Sequence, residues 1–206
     1  LHLCNKNMVK MDTNNNDSSK AKHNLLLDVC LAAQYEGESL KGYHDQYEAT
    51  YPGSSFTTCT VLARSFADIG DIIRGKDLYL GYNKKEKEKR KQLENKLKDI
   101  FKNIYNELTS TSGRTNGTEE RYKVDADNNY YKLREDWWAA NRHTVWKAMT
   151  CSDKLANASY FRPTCSMNGS GAQANKYCRC NGDQPGSDKP NTDPPTYFDY
   201  VPQFLR

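Results

Sequence analysis

The sequence predicts an all-α chain, a disulfide-stabilised helical bundle carrying long irregular loops. Apolar residues recur at spacings of three and four over several long stretches, and no segment alternates convincingly at period two. The chain is polar, with 36% hydrophobic and 27% charged residues and a mean hydropathy of -0.95 over 206 residues. So thin an apolar core needs covalent help, and seven cysteines (Cys4, Cys30, Cys59, Cys151, Cys165, Cys178 and Cys180) point to disulfides and an oxidising compartment.

Taken in chain order, "MDTNNNDSSKAK" (11–22) reads as an exposed loop. The following "HNLLLDVCLAAQYE" is apolar nearly all round, which predicts a helix buried by several neighbours. In "SSFTTCTVLARSFADIGDIIRG", Cys59, Leu62, Phe66, Ile69 and Ile73 form an inward stripe, with a serine cap before it and Gly75 as the stop. A third helix runs through "NKKEKEKRKQLENKLKDIFKNIYNEL", with Leu93, Leu97, Ile100, Phe101, Ile104 and Leu108 on one face, and "TSTSGRTNGTEE" ends it.

The last helix lies in "NNYYKLREDWWAANRHTVWKAMTC" (128–151). On a helical wheel Tyr131, Trp138, Val145 and Met149 fall within about 40° of one another, with Trp137 and Trp146 roughly 80 to 100° to either side. An aromatic stripe at this spacing is core, so Trp137, Trp138 and Trp146 are candidate core aromatics. Arg134 and Arg142 share the arc, where a guanidinium can stack on the indole or meet buried acids.

Chemistry finds little support. His2, His23, His44 and His143 are scattered, and there is no glycine-flanked nucleophile, no HExxH and no phosphate-binding glycine loop. The single residue between Cys178 and Cys180 is not zinc-knuckle spacing. The residues therefore predict no catalytic set, no metal site and no cofactor, and the chain is not read as an enzyme. The longest apolar stretch, 25–33, is too short to span a bilayer. An odd cysteine count, no initiator Met and an apolar segment opening at "VPQFLR" suggest a slice of a longer protein, with any membrane anchor elsewhere.

The best surface signal is basic. Between Lys84 and Lys102 stand nine Lys/Arg against four acids, a surplus of five in a chain whose net charge is +4. Two readings stay open. One is a solvated helix face supported by pairs such as Glu86 to Arg90 and Glu94 to Lys98; the other is a strip for sulfated glycosaminoglycan or another polyanion. The candidate polyanion-binding residues are Lys84, Lys85, Lys87, Lys89, Arg90 and Lys91. Nucleic acid is disfavoured as a partner because the cysteines argue for an extracellular site. Sequons at Asn116, Asn157 and Asn168 suit exposed loops.

"DIGDIIRG" (68–75), "LREDWWAANRHTVWKAMTC" (133–151), "YFRPTC" (160–165), "CRC" (178–180) and "PTYFDYVPQFLR" (195–206), with "LHLCNKNM" near the start, resemble the Duffy-binding-like domain, alpha class, of the Plasmodium falciparum erythrocyte membrane protein 1 family. The resemblance implies a helical adhesion domain of a variant antigen on the infected red-cell surface. Its host receptor would be a glycosaminoglycan, a blood-group glycan or a protein, and rosetting and antigenic variation would follow from variable loops on a fixed frame. It also implies one incomplete domain, with 1–53 ending a first subdomain and leading into a second at 54–206 that is cut at its C-terminus. Guided by the resemblance, Cys59 is expected to pair with Cys165 and Cys30 with Cys151. Cys4 would then pair upstream, and Cys178 and Cys180 largely downstream. The alternative function is a structural and antigenic spacer whose receptor contacts are made by neighbouring domains.

Overall fold

The structure, a computed structural model, describes residues 21–53, 57–79, 81–110, 118–123, 127–167, 170–190 and 192–206. The chain is all-α. Its helices are α1 (Ala21–Thr50), α2 (Thr58–Arg74), α3 (Lys84–Ser110), the single turn α4 (Thr118–Arg121) and α5 (Tyr131–Met149). After α5 come short 3-10 turns and one small antiparallel hairpin, β1 (Cys165–Met167) with β2 (Ser170–Ala172), in which Cys165 faces Ala172. Period-two reading missed this hairpin because three-residue strands are too short to show alternation.

The described residues fall into two compact units, one made of 30–70 with 142–206 and the other of 21–29 with 71–141. In the first, Cys59, Leu62, Phe66, Val145, Trp146 and Met149 are buried, and the Phe66 and Trp146 rings meet edge to face at 5.2 Å. Glu36 of α1 is buried beside them and accepts a 2.9 Å hydrogen bond from the Ser65 hydroxyl. In the second, Leu93, Leu97, Phe101, Leu133, Trp137 and Trp138 are buried, with Phe101 and Trp137 edge to face at 6.2 Å. Leu108 is only half-buried.

α1 corrects the all-round burial expected of "HNLLLDVCLAAQYE". Leu25, Val29, Ala32, Ala33 and Glu36 make one buried stripe at helical spacing, while Leu27, Leu31 and Tyr35 are 59%, 40% and 55% exposed. An apolar composition does not by itself supply neighbours on every side. Tyr131, placed on the apolar arc by the wheel, is half-exposed, and its neighbour Tyr130 is buried in its stead, with φ at 57° just before α5 begins.

Helix ends are closed locally. The serine cap expected for α2 falls outside the described residues, and Thr57 Oγ1 accepts from the Thr60 N–H. Glu86 N–H donates to Asn83 Oδ1 at 2.9 Å and the Glu86 carboxylate reaches back to the Tyr82 N–H at 3.0 Å, a reciprocal cap for α3. α2 stops in a Schellman turn: Gly75 N–H donates to Ile72 O, Lys76 N–H donates to Asp71 O, and Gly75 has φ 72°.

The cysteine pairing differs from the expectation. Cys59 bonds Cys178, and Cys165 bonds Cys180. The turn at 177–182, with positive φ at Tyr177, Cys178, Asn181 and Gly182, presents the two cysteines of "CRC" to different partners. Buried Arg179 between them donates to Thr150 Oγ1, Lys147 O and Asp188, and so ties this turn to the end of α5. Trp146 Nε1 donates to Cys178 O at 3.0 Å.

Cys30 and Cys151, expected as a pair, are separate half-buried thiols. Gly37 of α1 backs onto the Met149 carbonyl so closely that a Cβ there would stand 2.1 Å from the oxygen. Cys30 lies seven residues before Gly37, about 10 Å along the helix axis, whereas Cys151 lies near Glu38, one residue beyond Gly37. Burial raises the Cys30 thiol to about 11. Burial also raises Cys151, with Glu38 adding to the effect. Cys4 lies outside the described residues.

Candidate ligand-binding face

Within the second unit, Arg134 organises the ground around the basic helix. Its side chain is fully buried; Nε donates to Ile73 O at 2.6 Å, and Nη2 donates at 3.0 Å to Ile72 O, which also accepts from the Gly75 N–H. The same guanidinium grips Glu94 of α3 through Nη1 to Oε1 at 2.7 Å and Nη2 to Oε2 at 3.0 Å. Arg134 thus meets an acid whose side chain is 36% exposed, with the Phe101 ring 5.6 Å away. Arg74 and Lys76 both donate to Glu135, at 3.2 and 2.5 Å. Although burial pushes the Glu135 carboxyl up, Lys76 and Arg74 hold it below its ordinary value.

Beside this clamp lies an open cleft of about 360 Å³. The nearly buried Ile72, Leu93 and Leu97 lie at its floor, and Tyr79, Tyr131 and Asn129 also line it. Tyr131 lies over Gly75, where an added Cβ would come within 2.9 Å of its ring. Along the rim run Lys87, Arg90, Lys91 and Lys98.

Of the candidate polyanion residues, Lys87, Arg90 and Lys91 line this cleft. Lys84 lies about one turn before Lys87 on nearly the same side of α3, while Lys85 and Lys89 are turned roughly 100 to 140° from Lys84 toward the opposite side. Lys84, Lys85, Lys87 and Lys91 are exposed, Lys89 half-buried. Arg90 of that list pairs with Asp77 and covers the Tyr79 ring at 4.2 Å, so its charge is met within the fold. The helix pairs expected within α3 do not form either, because Glu86 is drawn to the Tyr82 N–H and Glu94 to Arg134. Among the described residues, no carboxylate stands in ion-pair range of Lys84, Lys87, Lys91 or Lys98.

Lys98, Tyr79, Asn129 and Tyr131 were missed as site residues by sequence reasoning. For Lys98 the signal was present: it falls between Lys87 and Lys91 on the wheel. The other three come from segments whose approach to α3 depends on the Gly75 turn and the Arg134 clamp. Among the described residues no helix is long and apolar enough to cross a membrane, and no group of three His, Cys, Asp or Glu side chains is placed to hold a metal. Asn157 is exposed; Asn116 and Asn168 lie outside the described residues.

A family model for the Duffy binding domain matches residues 1–206. The chain belongs to the Duffy binding domain family. Among solved structures, this Duffy binding chain is similar to the N-terminal NTS-DBL1-alpha and CIDR-gamma double domain of PfEMP1 from the Plasmodium falciparum varO strain, with TM-score 0.69 and 37% identity over 99% of this chain and 25% of that one. It is also similar to the ICAM-1-binding PfEMP1 IT4var13 DBLbeta domain, with TM-score 0.63 and 29% identity over 100% of this chain and 39% of that one. A structure of the IT4var13 DBLbeta domain bound to ICAM-1 matches with TM-score 0.56 and 33% identity over 73% of this chain and 34% of that one. The chain therefore spans a quarter to about two fifths of the length of these neighbours. No curated protein matches it.

Proposed function

We propose that the chain serves a host-cell adhesion module on the face of the infected erythrocyte, and that the lysine side of α3 docks a polyanion of the receptor surface, such as a sulfated glycosaminoglycan. The observation that carries the reading is the row Lys84, Lys87, Lys91 and Lys98, whose ammonium groups lie within an arc of about 60° along one helix and meet no acid of the described chain. Family membership supports adhesion without chemistry, and the relatives named for ICAM-1 support a receptor on the host cell. Unpaired ammoniums in a row attract an extended polyanion at long range, an attraction that falls off as salt shortens the screening length to about 8 Å at physiological strength.

The test is binding of the oxidised chain to uninfected erythrocytes, with a salt titration and heparinase-treated cells alongside. Loss of binding in moderate salt, after heparinase, and on reversing Lys84, Lys87 and Lys91 to glutamate is expected, with the helical CD spectrum unchanged. Binding that ignores all three treatments overturns the polyanion strip. No binding by the folded chain leaves the role of structural and antigenic spacer.

A further inference from the structure

We propose that the cleft beside α3 is a docking site for a protein partner, seating one apolar side chain of an acidic peptide segment. This goes beyond the polyanion strip, because charge alone explains the lysines and leaves the cleft floor without a role. Ile72, Leu93 and Leu97 back the floor, and half-exposed Tyr131 walls it, so the cleft offers an apolar group a place out of water. A sulfated glycan carries no apolar side chain to fill that place; a peptide does.

Charge complementarity fixes the rest of the occupant. Both acids of the lining are neutralised from within the fold, Asp77 by Arg90 and Glu94 by the two-pronged grip of Arg134. Lys87, Lys91 and Lys98 also line the cleft and, among the described residues, have no carboxylate in ion-pair range. The cleft therefore presents an apolar floor inside a cationic rim, and its complement is a leucine- or phenylalanine-sized side chain with carboxylates on either flank. Arg134 also makes the site rigid, since it ties the end of α2 to Glu94 within α3, and both helices line the cleft. A preformed site loses less conformational freedom on binding.

Two labelled peptides test this on the oxidised chain: a leucine flanked by two glutamates on each side, and the same peptide with serine for leucine. Anisotropy titrations near physiological salt should show the leucine peptide binding at least about tenfold tighter. Tyr131→Ala should bring the two peptides close to equal affinity, and Lys98→Glu should weaken both, whereas Lys154→Glu, exposed in the other unit, should change neither. CD melts of each variant separate loss of binding from loss of fold, and Lys98→Arg should retain binding. Equal affinity of the two peptides for the folded wild-type chain overturns the proposal. So does a heparin tetrasaccharide whose binding depends on Tyr131, since the cleft would then be a sugar site. If heparin fails to bind but the peptides are discriminated, the strip falls and the cleft stands.

Discussion

Arg142 of α5 grips Asp199, 57 residues further on, through Nε to Oδ2 at 2.8 Å and Nη2 to Oδ1 at 2.9 Å, and the same Nη2 donates to Thr196 O at 2.8 Å. Asp199 is 1% exposed and Arg142 5%. The rings of Tyr200, Tyr197 and Phe66 stand 5.2 to 5.7 Å from the guanidinium. Burial opposes the charge, yet Asp199 outweighs it and raises the Arg142 pKa further. Asp199→Ala leaves the buried cation facing the exposed Asp193 at 3.7 Å and should cost about 3–5 kcal/mol in chemical denaturation. The double variant Arg142→Met with Asp199→Leu should recover most of that loss; an equal loss in both would show that the pair is not the source.

Two glycines of α1 should respond in opposite senses to the same methyl group. Gly37→Ala forces a Cβ against the Met149 carbonyl, a backbone atom that cannot swing away, and should destabilise by about 1–3 kcal/mol. Gly42 has open space within 4 Å, so Gly42→Ala should stabilise the helix by about 0.5–1 kcal/mol. Thermal melts that move in the same direction would contradict the close approach of α5 to Gly37.

Peptide mapping of the unreduced chain should link Cys59 to Cys178 and Cys165 to Cys180. The second bridge spans 15 residues, and its removal by Cys165→Ser with Cys180→Ser should cost about 3 kcal/mol in the chain-entropy account. A fragment joining Cys59 to Cys165 would restore the original expectation.

The Cys30 thiol, raised to about 11 by burial, should be almost unreactive in the native chain. At pH 8 only about one thiol in a thousand is ionised, against roughly a quarter for an ordinary cysteine. Iodoacetamide should therefore label Cys30 far more slowly before denaturation than after it. Equal rates would mean that the thiol is not buried.

Glu135 gives the acid limb of stability its sign. Its folded pKa lies below the ordinary glutamate value because Lys76 and Arg74 outweigh burial. Its contribution is present above the unfolded value and is lost as pH falls through the folded one. Glu135→Gln should lower the melting temperature at neutral pH and flatten its dependence on the acid side, so that variant and wild type converge as pH falls through the folded value. An unchanged acid slope would show that the Arg74 and Lys76 contacts do not set it.

The buried stripe of α2, the buried face of α3 and the burial of the three tryptophans follow from spacing alone, because a helix that must hide one side fixes which residues share it. The lysine surplus of α3 is likewise a property of sequence. Which charges stay unpaired was decided by tertiary structure: Arg90 is lost to Asp77 and Glu94 to Arg134 across 40 residues of chain, so the helix pairs that spacing allowed never form. The disulfides were decided the same way. Spacing shows that Cys59 faces inward, but bonding needs a second sulfur within a few ångströms, and only the left-handed turn at 177–182 brings Cys178 there. α1 shows the limit from the other side: its apolar residues were legible, yet burial needs a neighbour, and only packing determines on which sides a helix has one.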